Sequence, residues 1–89
     1  SKLELAEQVA LKTRDIYSTD FGFCVLINHT EKNEAETFIA LSGQISQSRI
    51  GYFIGDNYRV TLGSIEMALD CIRRYFQGLP FDEKSDFER

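Results

Sequence analysis

Three strand-like segments with short polar loops between them lie in the middle of this chain of 89 residues. They are residues 21–28, 35–43 and 47–55, and the loops 29–34 and 44–46 are of hairpin length. A parallel crossover needs about a dozen or more residues, so these loops are too short for one. The sequence therefore predicts an antiparallel meander of three strands.

The first strand, "FGFCVLIN", is almost continuously apolar, which is typical of a strand buried on both faces or lying at the centre of a sheet. Either the helices lie on both sides of the sheet, or another chain or a missing segment covers the second face. The third strand, residues 47–55, alternates between two faces and suits a sheet edge. Its Arg49 is expected to point into solvent.

Helical spacing of apolar residues predicts one helix over residues 3–17 and a second over residues 57–77. Gly78 and Pro80 follow the second helix and are typical of a helix end. The predicted fold is an α/β protein of the α+β type: helix, three-stranded antiparallel meander, helix (αβββα). Residues 1–78 are predicted to form the single domain, and residues 79–89 a charged tail.

The second helix carries apolar residues at alternating spacings of four and three. We call this set the α2 stripe, and we interpret it as ordinary core in preference to a partner surface. Its members are Tyr58, Leu62, Ile65, Leu69, Ile72 and Phe76.

The most conspicuous turn is Gly55-Asp56, at the start of the second helix. Asp is a preferred N-cap residue, and its carboxylate would occupy the amides that an anion needs, so capping is favoured over anion binding. His29, the only histidine, lies in a predicted polar loop and is interpreted as solvated. No catalytic set, metal-ligand spacing or cofactor motif is visible.

Charge and cysteine content restrict the class of protein. The net charge of −4 disfavours nucleic acid as a partner, because that affinity comes mainly from Lys and Arg. No apolar run is long enough to predict a membrane span. Cys24 and Cys71 are interpreted as reduced core thiols, which indicates a cytoplasmic protein.

Three segments in order resemble the C-terminal domain of the competence/damage-inducible protein CinA family: "LAEQVALKTRDIYSTDFGFCVLIN", "ETFIALSG" and "RIGYFIGDNYRVTLGSIEMALDCIRRYF". The resemblance covers residues 4 to 77. It implies a relation to nicotinamide-nucleotide amidases, the active members of that family, with Gly55-Asp56 kept as a structural turn.

The chain departs from the family pattern where the chemistry would be. "INHTEKNEAE" stands where the family has a Thr-Gly-rich loop, Asn57 and Thr61 replace two arginines, and the family's nucleophile segment has no counterpart. We therefore expect a non-catalytic structural or interaction role. The alternatives are part of an amidase whose nucleophile segment is missing from this chain, and an unrelated small binding module. The expected partner is a second copy of the chain or a missing segment of the same protein.

Overall fold

The computed structural model describes residues 1–81. It consists of α1 (Lys2–Tyr17), β1 (Gly22–Glu31), β2 (Glu34–Ser42), β3 (Gln47–Ile54) and α2 (Asn57–Phe76). The strands form one antiparallel sheet in the order β1-β2-β3. The predicted αβββα arrangement with its meander is therefore confirmed.

The connection between β1 and β2 is tighter than predicted. The strands continue to Glu31 and from Glu34, so that only Lys32 and Asn33 form the turn. Asn33 has a φ of 63°, a left-handed conformation that Asn tolerates well. His29 therefore lies in β1 opposite Ala35, next to a register shift, and not in a loop as predicted.

The two helices pack on opposite faces of the sheet. Phe38 and Ala40 of β2 pack with Ala6 and Ala10 of α1, whereas Ile39 and its odd-numbered neighbours pack with α2. Successive side chains of a strand point to opposite faces, so the sheet separates two cores. Of the two explanations for an apolar first strand, the one with helices on both sides is correct.

Close contact between α1 and β1 depends on small residues. Ala6 and Ala10 are the buried residues of α1. A Cβ atom built on Gly22 would lie 1.9 Å from the carbonyl oxygen of Ala10, so only glycine fits at this crossing. The helix thereby covers β1 and β2, while Tyr52 and Ile54 of β3 stay exposed on the same face.

The core between the sheet and α2 is larger. It contains buried residues of β2, β3 and α2 together with Phe81, which follows α2. Phe81 is 2% exposed although it lies in the predicted tail of residues 79–89. Residues 82–89 of that tail lie outside the described residues.

The central strand is β2, as the meander requires, so the apolar β1 lies at an edge and is only partly buried. The prediction that Arg49 points into solvent is wrong. Arg49 is buried, not in solvent, because it lies on the α2 face and its Nη1 donates to the carbonyl oxygen of Phe81 at 3.0 Å. This error arose because strand composition does not reveal which neighbour covers each face.

The interpretation of the α2 stripe as core is also wrong. Five of its six residues are exposed and Ile72 is partly buried. The helix packs through its other side, where small residues and hydrogen-bonded polar residues fit the sheet.

Candidate functional site

The α2 stripe is an apolar surface that runs along one side of a helix of 20 residues. Its five exposed members have between 44% and 75% of their surface accessible. An isolated exposed leucine is normal in a folded protein, but a contiguous row of large apolar side chains is typical of an interaction surface. The stripe is therefore the strongest candidate for a functional site among the described residues.

The opposite side of α2, which we call the buried seam, also repeats at spacings of four and three, but apart from Met67 its residues are smaller or polar. Its members are Val60, Ser64, Met67, Cys71 and Arg74, all buried. The repetition on both sides explains why spacing alone did not show which side packs on the sheet.

Hydrogen bonding and close packing allow the buried seam to face the core. The hydroxyl oxygens of Ser64 and Thr37 lie 2.7 Å apart, and both residues are fully buried. A Cβ atom on Gly63 would lie 2.8 Å from the ring of Phe53, so glycine lets that ring approach the helix. A buried hydroxyl with a partner avoids the cost of burying an unsatisfied polar group.

Charged groups fasten the end of α2 to the residues that follow. Nε of Arg74 donates to Asp70 at 2.7 Å, and Nη1 of Arg74 donates to the carbonyl oxygen of Pro80 at 3.3 Å. Nη2 of Arg73 donates to the other carboxylate oxygen of Asp70 at 2.7 Å. Burial raises the pKa of Asp70, but the hydrogen bonds and charges of Arg74 and Arg73 outweigh it and hold that pKa below its usual value.

Further apolar residues extend the exposed surface at the C-terminal end of α2. The ring of Phe76 packs edge-on against Phe21 and Tyr75, with centroids 5.6 Å and 5.4 Å away. Ile45 of the β2–β3 loop is 68% exposed and Leu79 is 40% exposed. The apolar surface is thus more extensive at this end of the helix than at its start.

The Gly55-Asp56 turn has the geometry of a helix cap. Gly55 has a φ of 145°, which favours glycine, and its amide donates to the carbonyl oxygen of Asn33 at 2.8 Å. Oδ1 of Asp56 accepts a hydrogen bond from the amide of Arg59 at 2.9 Å. The carboxylate thus occupies the first-turn amide that an anion would use.

The remaining sequence candidates do not come together in the structure. His29 is exposed at the end of β1. Cys24 and Cys71 are not bridged to each other: they lie on opposite faces of the sheet, Cys71 buried and Cys24 partly buried. Burial raises the pKa of the Cys24 thiol, which disfavours the reactive thiolate.

Small-molecule and metal chemistry find little support in residues 1–81. No three His, Cys, Asp or Glu side chains of this part of the chain lie close enough together to hold a metal ion. A groove between α1 and β2 measures ≈ 230 Å³, and two open grooves beside Phe76 and Phe81 measure ≈ 330 Å³ and ≈ 320 Å³, so all three lie below or at the lower end of the range for ligand pockets. Typical ligand pockets measure about 300–1,000 Å³.

Sequence reasoning missed two residues near these sites. Arg59 places a cation in the first turn of α2, although Asn57 and Thr61 lack one. Phe81 packs in the core although charged residues follow it. The only signal for Phe81 was an aromatic residue directly after Pro80, which is weak evidence for burial.

No protein-family model matches the chain, and neither the curated proteins nor the solved structures contain a significant match. The resemblance to the CinA family therefore stays a prediction from the sequence. Over residues 1–81, neither helix combines the length and hydropathy that crossing a bilayer requires.

Proposed function

We propose that this chain is a non-catalytic interaction domain that binds an α-helix through the α2 stripe. The observation that carries the proposal is the orientation of α2, which exposes its large apolar residues and buries a seam containing Ser64 and Arg74. A partner that covers such a row removes its apolar surface from water. This removal is the main favourable contribution to the free energy of association.

The surface is suited to a helix because its apolar residues alternate at spacings of four and three. An amphipathic helix presents anchors at the same spacings, and two such rows interdigitate along their length. The site therefore provides shape and apolar area for binding, and it contains no nucleophile paired with a base.

A variant in the middle of the stripe tests this proposal. Leu69→Glu puts a charge at an exposed position, so the fold should remain intact while binding of a hydrophobic dye and association in sedimentation velocity are lost. Leu5→Glu, which introduces the same charge at an exposed leucine of α1, is the matched control and should change neither. A wild-type protein that binds no dye and sediments strictly as a monomer would contradict the proposal.

The relation to the CinA family belongs to the same proposal: the domain is a degenerate relative, and this chain by itself has no amidase activity. The order of helix, strands and helix agrees with the three segments that resemble the family, and two cysteines that are not bridged to each other support a cytoplasmic location. The purified chain should release no ammonia from nicotinamide mononucleotide. Turnover that scales with protein and survives repurification would instead favour the alternative of an amidase part.

A further inference from the structure

The spacing of the α2 stripe identifies the kind of occupant that fits it. Alternation of four and three is a repeat of 3.5 residues, which keeps a row of side chains facing a second helix that winds around the first. A repeat of this kind suits neither an extended peptide nor a compact ligand. In heptad terms, Leu62, Leu69 and Phe76 occupy a positions, and Tyr58, Ile65 and Ile72 occupy d positions.

The residues that flank the stripe carry a charge pattern. Each residue after a d position is an exposed ion, and the series reads Arg59, Glu66, Arg73. In an antiparallel pair of helices these flanking positions face their equivalents on the partner helix. The alternating signs therefore discriminate between registers in which α2 pairs with the α2 of a second copy.

Full antiparallel overlap is disfavoured by this pattern. It would place Glu66 against Glu66 of the other copy, and it would place Arg59 of each copy against Arg73 of the other. A shift of one heptad removes every like-charged contact of this series and places Glu66 against an arginine of the other copy on both sides of the two-fold axis. Like charges that face each other across an interface act against a pairing, so the shifted registers are favoured.

The apolar surface decides between the two possible shifts. A shift towards the C-terminal end pairs Leu69 with Ile72 of the other copy and Phe76 with its Ile65. It also brings the exposed Leu79 near Leu62 of the other copy. The opposite shift would leave Phe76 and Leu79, together with the neighbouring Ile45, in water.

We propose that two copies of this chain pair through antiparallel α2 helices, with Glu66 of each copy facing Arg73 of the other. This inference rests on the proposed function, and it specifies the occupant of the same surface. Arg73 donates to Asp70 and to the C-cap residue Gln77, and because its side chain is still 50% exposed, a carboxylate of the other copy can approach it as well.

Site-directed crosslinking tests the register. Glu66→Cys and Arg73→Cys proteins are mixed, treated with a short thiol-specific crosslinker and mapped by peptide mass spectrometry, which separates the new links from any at Cys24. The proposed pairing gives a 66-to-73 link in the mixture and little product from either variant alone. A 66-to-66 link would indicate full overlap, and a dimer with no link at these positions would indicate another interface; both results overturn the proposal.

Charge reversal tests the contact between Glu66 and Arg73 of the other copy without a crosslinker. Glu66→Arg should weaken dimerisation by roughly 10-fold in sedimentation equilibrium, because two attractive rim pairs become repulsive. The double variant Glu66→Arg/Arg73→Glu should restore wild-type affinity. Glu7→Arg, the same change on exposed α1, is the matched control and should have no effect. Failure of the double variant to restore dimerisation would overturn the proposed contact.

The oligomeric state and dye binding of the wild-type protein distinguish failure of this inference from failure of the proposed function. If it is a monomer that binds hydrophobic dye, and Leu69→Glu abolishes the dye binding, then a second copy is not the occupant but the stripe remains an interaction surface. If it is a monomer that binds no dye, both proposals are wrong.

Discussion

The two sides of α2 carry the same repeat and have opposite environments. The α2 stripe has six large apolar residues and mostly faces water, whereas the buried seam includes Ser64 and Arg74 and faces the sheet. Total hydrophobicity therefore does not decide which side of this helix packs. Fit decides it: Gly63 admits the ring of Phe53, Ser64 pairs with Thr37, and the arginine has partners at the edge of the core.

The difference between the two sides is informative because folding places requirements on the buried seam but not on the α2 stripe. A side that only has to fold can contain small and polar residues, provided that every buried polar group has a partner. Large apolar residues on the side that does not pack contribute little to the stability of a monomer. The proposed partner would give these exposed residues a function that folding alone does not give them.

The largest expected effect is a difference in the free energy of unfolding between two truncations, one on each side of α2. Met67→Ala should lower the free energy of unfolding by about 2–5 kcal/mol, because Met67 is fully buried and the substitution leaves a cavity. Leu62→Ala should change it by no more than about 0.5 kcal/mol in a dilute monomer. Urea denaturation at low protein concentration measures both, and equal losses would contradict the assignment of the two sides.

A smaller effect is expected from the hydroxyl pair that lets the buried seam face the sheet. Ser64→Ala should cost about 1–3 kcal/mol, because the hydroxyl of Thr37 stays buried and loses this partner. The double variant Thr37→Val/Ser64→Ala removes both groups and should recover much of the loss. If the single and double variants are equally unstable in urea denaturation, packing and not hydrogen bonding fixes this side of the helix.

The start of α2 tests whether the helix end serves stability or ligand binding. Asp56→Ala should cost about 0.5–2 kcal/mol, because the amide of Arg59 loses its acceptor. The melting temperature should fall by several degrees, since about 1 kcal/mol corresponds to roughly 4–8 °C for a domain of this size. Nucleotide phosphate should stabilise neither form. An unchanged melting temperature, together with phosphate protection of the wild type, would identify the turn as an anion site.

Much of the fold could be predicted from the sequence because local signals determined it. Hairpin-length loops excluded parallel crossovers. Gly55 and Asp56 indicated the residue at which α2 begins. The apolar composition of β1 left its environment open, because a strand at the sheet edge can be as apolar as a central one when helices lie on both faces.

The candidate site was harder to predict because it depends on which side of a helix packs. Both sides of α2 have the spacing of a packed face, and ranking them by hydrophobicity selects the wrong one. The deciding facts are long-range: Thr37 opposite Ser64, and Phe53 against Gly63. The role of Arg49 is likewise visible only once Phe81 has folded back onto the sheet.

The smallest expected effect concerns Asp70, which connects the two sides of the helix by accepting hydrogen bonds from Arg73 and Arg74. The pKa of Asp70 is lowered in the folded chain despite burial, so between the folded value and the unfolded value of about 3.9 the unfolded chain binds more protons. The stabilisation by this carboxylate is therefore complete above the unfolded pKa and is lost as the pH falls through the folded pKa.

Urea midpoints measured from neutral to acidic pH check this, with Asp70→Asn as the comparison. The variant should be less stable than the wild type at neutral pH, and the difference should shrink as the pH falls below about 4. The pH-dependent part should be small because burial opposes the two arginines and only one carboxyl titrates. A difference that stays constant down to the lowest pH would mean that Asp70 stabilises the helix by its shape and hydrogen bonds, without a contribution from its charge.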